Sequence, residues 1–173
     1  MPNERQHQAS HMGLYTPEER ARRDATRWTL VQGLLAPVQF IAFLVSLWLV
    51  LRYLGSGEGL TAATWSVVVK TALLYTIMVT GSIWEKVVFG RWLFARPFFW
   101  EDVFSMLVLA LHTAYLGCLW LDWLSPRELM FLALAAYATY VINAGQFLAK
   151  LRMARREAGP EHAAPVGGVL GQV

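Results

Sequence analysis

Charge is scarce in this chain of 173 residues: 16% of them are Asp, Glu, Lys or Arg, against 56% hydrophobic ones. A soluble domain carries roughly 25% charged residues. The composition therefore excludes one, and with a positive mean hydropathy it indicates a small polytopic membrane domain. Cysteine is almost missing. The single Cys118, inside an apolar run, excludes an intrachain disulfide and a multi-cysteine metal site, and reads as a small packing group. Histidine is scarce where it would matter: His7, His11 and His162 lie in the tails, which leaves His112 alone in an apolar run and excludes a bis-histidine haem site within one chain. A cleavable signal is not expected, because the first apolar run follows about thirty polar residues and lacks a small-residue cleavage site. The net charge of +3 is small and sits at the ends and in one loop, which suits membrane topology and not nucleic acid.

What is present is four apolar runs. Residues 1–13 and the Gly/Pro/Ala-rich tail 158–173 read as disordered, and 14–157 as one membrane domain. Thr16-Pro17-Glu18-Glu19 is a helix-start signature, with Thr16 as N-cap, Pro17 at the first helical position and Glu19 closing a capping box. A short basic helix through Arg20, Arg22, Arg23 and Arg27 should follow, lying at the membrane surface. Spans are expected at 33–54, 61–84, 102–123 and 128–151, with Pro37 in the first turns of span 1 and the Gly55–Gly59 stretch turning the chain back. Each span carries a polar stripe: Gln32, Gln39, Ser46 and Tyr53 in the first; Thr71, Tyr75, Met78, Ser82 and Glu85 in the second. Glu101, Ser105, Val108, His112 and Tyr115 line the third, with Asp102 on its flank, and Thr139, Asn143, Gln146 and Lys150 the fourth. Lys70 interrupts span 2, either snorkelling to the nearer surface or pointing into the bundle toward a carboxylate or substrate.

Basic residues set the orientation. Arg5, Arg20, Arg22, Arg23, Arg27, Lys86, Arg91, Arg96, Lys150, Arg152, Arg155 and Arg156 fall on one side of the four spans, and only Arg52 and Arg127 on the other. The positive-inside rule then puts both termini and the 85–101 loop in the cytoplasm. The expected fold is all-α: a four-transmembrane-helix bundle with a short N-terminal surface helix and a polar seam opening inward.

The chemistry concentrates between Gly81 and Tyr115, where Trp84-Glu85-Lys86 is echoed by Trp100-Glu101-Asp102. Glu85 ends one span and Glu101 begins the next, sixteen residues on, so both lie at the cytoplasmic mouth of the seam. Carboxyls screened by Trp84, Trp100 and a cluster of phenylalanines hold protons more tightly than usual, while a nearby Lys86 favours the ionised form. Such unequal paired carboxyls suit acid/base work; helix capping competes for Glu101 and Asp102. The loop aromatics Phe89, Trp92, Phe94, Phe98, Phe99 and Trp100 read either as an interfacial belt or as a receiver for a flat apolar ligand. His112 lies eleven residues beyond Glu101, about 16 Å along the helix and near the bilayer middle. It is a histidine hydrogen-bonded in the bundle, a proton relay, or an axial ligand to a tetrapyrrole metal.

These residues also carry a resemblance. From about Leu14 to Glu157 the chain resembles the 3-vinyl bacteriochlorophyllide hydratases (chlorophyllide a hydratases), through Tyr15-Thr16-Pro17-Glu18, Leu35-Ala36-Pro37-Val38-Gln39-Phe40, Thr80-Gly81-Ser82-Ile83-Trp84-Glu85-Lys86, the run from Phe98 to Met106, and Ala110-Leu111-His112-Thr113-Ala114-Tyr115. The resemblance implies a hydro-lyase that adds water to the ring A vinyl group of a magnesium chlorin or bacteriochlorin in a bacterial inner or intracytoplasmic membrane. No cofactor is implied beyond the substrate's own magnesium, and a downstream hydroxyethyl dehydrogenase is the implied partner. On the chemistry, Glu85 and Glu101 are the expected acid/base pair, with Asp102 and Lys86 deciding which is protonated. The ring would lie against Trp84, Trp92, Phe98 and Trp100. His112 would hold the ring or ligate its magnesium, and Tyr75, Asn143 and Gln146 would hydrogen-bond its carbonyls. The rival readings are a non-enzymatic pigment-binding or assembly protein, which needs no acids, and a small proton-coupled carrier using Lys70 and His112, for which broken helices or inverted repeats are wanting.

Overall fold

The computed structural model describes residues 14–158, so the disorder expected for 1–13 and for the tail beyond Ala158 lies outside the described residues. Every regular element among them is helical. The first, α1 (Pro17–Ala25), begins with the full capping box: Glu19 N–H donates to Thr16 Oγ1 at 3.2 Å, and Thr16 N–H to Glu19 Oε2 at 2.9 Å. This helix buries none of its residues. It is tied down through Arg22, whose Nε donates to the Val88 carbonyl at 2.8 Å, a cation on the carbonyl end of another helix. One arginine expected to face lipid headgroups thus caps a helix instead. Thr26 is extended and starts α2 (Arg27–Ser56).

The span helices overrun the expected limits. Helix α2 begins six residues before 33, so Pro37 sits in its interior rather than its first turns and leaves the carbonyl four residues back without a helical N–H. It also runs through Gly55 to Ser56, and the reversal is confined to Gly57 and Gly59, both left-handed at φ 75° and 84°. Helix α3 (Leu60–Phe89) follows, ending on left-handed Gly90. A loop and a 3-10 turn, Arg96–Phe98, lead to α4 (Phe99–Leu121). Ser125 then caps α5 (Pro126–Ala158), with Glu128 Oε2 accepting from both the Ser125 N–H (2.8 Å) and its hydroxyl (2.6 Å). Thirty residues make α3 about 45 Å long against a hydrocarbon core of about 30 Å, so its ends reach the headgroups.

Four helices are long and apolar enough to cross a bilayer. They form two tightly packed hairpins, α2 on α3 and α4 on α5; the contact between α3 and α4 is slighter. The outer surface is apolar: Leu30, Leu34, Ile41, Val79 and Trp120 are exposed. The interior holds Gln39, Ser46, Lys70, Thr71, Ser105, His112 and Asn143 among apolar residues such as Phe43, Val67, Val108 and Met130. Polar inside and apolar outside is the arrangement of a multi-pass membrane protein.

Candidate functional site

Two polar clusters bridge α3 and α4. The first is at the loop end. Glu85 and Asp102 are both buried and their side chains are in hydrogen-bond contact. A carboxyl–carboxyl hydrogen bond requires one proton between the two groups. Each also accepts from a successive amide of the loop: Phe94 N–H to Asp102 Oδ2 at 2.7 Å, and Ala95 N–H to Glu85 Oε2 at 3.2 Å. Phe94 reaches this geometry with φ at 59°, a left-handed conformation an aromatic residue rarely adopts. The loop is held over the pair by Ser82, whose hydroxyl donates to the Trp92 carbonyl at 2.7 Å.

The carboxyl that meets Glu85 is therefore Asp102, not Glu101. Consecutive helical residues point about 100° apart, and the residue of α4 turned toward α3 is the second of the two. Glu101 is buried on the α5 side, where Lys150 lies 3.7 Å away and donates to the Pro97 carbonyl at 2.6 Å. Lys86 does not touch the pair either. Next to Glu85 on one helix it points elsewhere, donating to the Gly90 carbonyl at 2.9 Å with its ammonium 5.9 Å from the Trp92 ring centre.

The aromatics divide into two sets. Phe98 is the buried centre of a cluster with Tyr15, Val88, Trp84, Phe89 and Phe147, and Trp84 Nε1 donates to Thr29 at 3.0 Å. Burial raises the Tyr15 phenol above its ordinary value even with the Arg23 guanidinium 4.7 Å from its ring centre. Trp92 and Trp100, at 58% and 66% exposure, remain open at the rim. The exposed indoles are thus these two, while Trp84 and Phe98 pack the segment before α1 against α3 and α5.

The second cluster lies deeper. Lys70 and His112 are each 0% exposed, with Nζ 2.9 Å from His112 Nε2, and His112 Nδ1 donates to the Val108 carbonyl at 2.8 Å. Lys70 thus points into the bundle. Its partner is a histidine and two rings, Tyr140 at 4.2 Å and Tyr137 at 5.2 Å from their centres, with Ser46 bonded to Tyr137 and Ser66 beyond. Both ring nitrogens of His112 are engaged, so a magnesium ion would have to displace Lys70. Between the clusters, Asn143 donates to Ser105 at 2.7 Å. The Asn143 and Gln146 side-chain oxygens and both polar atoms of Gln39 are buried without a hydrogen-bond partner. Tyr75 bonds Thr113 at 2.8 Å on the outer side of the α3–α4 seam. No group of three or more His, Cys, Asp and Glu side chains suited to a metal ion occurs among the described residues.

Three features of the site escape sequence reasoning. The Phe94 and Ala95 amides are backbone groups in a loop and leave no side-chain signature. Lys150 stands on the polar stripe of its span, yet nothing in its spacing matches it to Glu101. Tyr137 and Tyr140 pass for apolar residues, although their spacing with Asn143 places all three on one helical face.

Comparison with known proteins agrees with the motifs. A family model described as 2-vinyl bacteriochlorophyllide hydratase matches residues 15–153. The chain is 70% identical over 148 residues to the 2-vinyl bacteriochlorophyllide hydratase of Cereibacter sphaeroides, covering 85% of this chain and 91% of that protein. It is 66% identical over 164 residues to the protein of the same name from Rhodobacter capsulatus, covering 94% of each. No solved structure matches the chain.

Proposed function

This chain belongs to the 2-vinyl bacteriochlorophyllide hydratase family, and from that premise we propose that it adds water across the ring A vinyl group of chlorophyllide a or 3-vinyl bacteriochlorophyllide. The product carries a 1-hydroxyethyl group; the vinyl carbon numbered 2 in the relatives' name is carbon 3 in current numbering. In reaction class this is a hydro-lyase.

The observation that supports the site is the Glu85–Asp102 contact under two backbone amides. The shorter bond from Phe94 N–H favours negative charge on Asp102, leaving the shared proton on Glu85. Glu85 delivers that proton to the terminal vinyl carbon, the alkene electron pair forming the new C–H bond. The resulting cation sits on the carbon attached to ring A, where the macrocycle delocalises it. Water adds to that carbon, and Asp102 takes the proton that water loses. One proton has entered and one has left, so the pair again holds a single proton, and its transfer across the Glu85–Asp102 hydrogen bond restores the starting form. Glu101, paired with Lys150 on the α5 side of α4, acts on the cation only at a distance.

Addition of water changes no oxidation state, so the proposal includes no redox cofactor, and the magnesium belongs to the substrate. The macrocycle approaches from lipid against Trp92 and Trp100, and water from the cytosol. Both termini and the loop over the acid pair face the cytoplasm of a bacterial inner or intracytoplasmic membrane. The hydroxyethyl product is a secondary alcohol suited to a following dehydrogenase.

The test is membranes containing the full chain, incubated with chlorophyllide a in water enriched in oxygen-18 and without reductant. A product heavier by one labelled water, with a blue-shifted red absorption band, is expected. Unchanged pigment, or a product without the label, overturns the proposal.

A further inference from the structure

The hydration chemistry leaves the deeper cluster unused. Lys70 is a wholly buried amine side chain, and among the described residues no carboxylate lies within ion-pair distance of it. Such a group is costly in a membrane interior unless its donors are engaged. One of its N–H donors is directed to His112 Nε2, and the ring faces of Tyr140 and Tyr137 lie beside it without accepting along a lone pair. A second buried donor side chain lies on α2. Gln39, 3% exposed, has neither its amide oxygen nor its nitrogen hydrogen-bonded. In register it lies midway between the Gln32–Thr80 and Ser46–Ser66 contacts, opposite residue 73 of α3 and within a turn of Lys70.

The position of this cluster relative to the acid pair is the second observation. Glu85–Asp102 and Lys70–His112 bridge the same two helices, and Asp102 and His112 are ten residues apart on α4, about 15 Å along its axis. The two helices so joined pack far less closely on each other than the partners within either hairpin do. One seam therefore carries a proton donor at its mouth and unspent N–H donors farther in, at a separation suited to a tetrapyrrole with a hydrogen bond at each end. A chlorophyllide has its ring A vinyl and its fifth-ring ketone at diagonal ends of the macrocycle. With the vinyl at the mouth, the ketone oxygen falls at the inner cluster, where a carbonyl cut off from water needs a donor.

Resting on the hydratase reading, we propose that Lys70, oriented by His112, donates a hydrogen bond to the ketone oxygen at the end of the pigment opposite the vinyl group. Lys70 is a positioning residue: it sets how far the macrocycle enters and so which alkene carbon meets Glu85. It also makes the site selective for pigments that carry the ketone, because without it the buried donors lose their acceptor.

The test uses the purified full chain in detergent with chlorophyllide a, and with the same pigment after its ketone has been deoxygenated to a methylene. The ketone stretching frequency of the bound pigment, read by resonance Raman, should lie below that of the pigment in an aprotic solvent. In Lys70→Met it should return to the aprotic value, with about tenfold weaker binding, and in Lys70→Arg it should stay low. The deoxygenated pigment should bind wild type about tenfold more weakly than the ketone, a comparison that needs no variant to fold. A free-ketone frequency in wild type, an unchanged one in Lys70→Met, or equal binding of the two pigments overturns the proposal. A lowered frequency in a protein that yields no hydrated product keeps the anchor and removes the hydratase reading; hydration with a free-ketone frequency does the reverse.

Discussion

At the scale of single residues, the structure turns a choice between three carboxyls into an ordering. Glu85 and Asp102 share a hydrogen bond and the two loop amides, whereas Glu101 sits across α4 with Lys150. Glu85→Gln and Asp102→Asn should each lower kcat by about 100-fold or more, the scale of a lost general acid or base, while pigment retention on the purified protein stays. Glu101→Gln should cost less than about tenfold, since its charge acts at a distance. Equal losses from Glu101→Gln and Asp102→Asn in single-turnover assays would restore the pairing that sequence spacing suggests. Normal turnover in both Glu85→Gln and Asp102→Asn would favour a pigment-binding protein without catalysis. These acids can be placed at one mouth from the sequence because spacing along a helix is readable. Which of two adjacent residues faces α3 is not readable, since that depends on how the turn at Arg96–Phe98 sets the rotation of α4. Lys70 is open in the sequence for a related reason: a span starting at 61 already puts it about nine residues in, but whether it turns into the bundle depends on the rotation of α3, which sets it against His112.

At the scale of elements, the limits of the helices are legible where a side chain writes them and obscure where the backbone does. The capping box at Thr16 follows from residue type, but the overrun of α2 to Arg27, which puts Pro37 in its interior, depends on Thr26 ending one helix and starting the next. The loop from Gly90 to Ala95 holds the site together. Its first residue needs φ 77°, and a Cβ added there would meet no atom within 4 Å. Gly90→Ala should therefore act through the backbone alone, destabilising the protein by about 1 kcal/mol. Thermal unfolding in detergent measures this, and turnover should fall further than stability because the Phe94 and Ala95 amides shift with the turn. Thr16→Ala removes one half of the capping box and should cost about 1 kcal/mol. Its readout is faster proteolysis within α1, which has no buried residue of its own to hold it.

At the scale of the molecule, four apolar runs with polar stripes are enough to foresee the bundle, and the stripe foreseen on α4 is the buried one, Glu101, Ser105, Val108, His112 and Tyr115. On α3 the stripe is displaced: Thr71 and Glu85 are buried, but Tyr75, Met78 and Ser82 sit at its edge and Lys70 and Leu74 face inward. Period alone cannot fix the rotation of a helix that is apolar nearly all round. The expected orientation can be read with cysteine probes, because Cys118 is the only native thiol. In a Cys118→Ala background, Leu93→Cys should be labelled from the cytoplasmic side and Ser125→Cys from the opposite side by a membrane-impermeant maleimide. The reverse pattern would place the acid pair in the other compartment.

The slight contact between α3 and α4 bears on how the reaction is supplied. On the proposed reading a pigment already dissolved in the bilayer meets this joint from among the acyl chains, while the other reactant arrives from the aqueous phase. Velocity then depends on the pigment's mole fraction in the lipid and not on its bulk molarity. Diluting proteoliposomes with extra phospholipid, at constant total pigment and protein, should slow turnover in proportion.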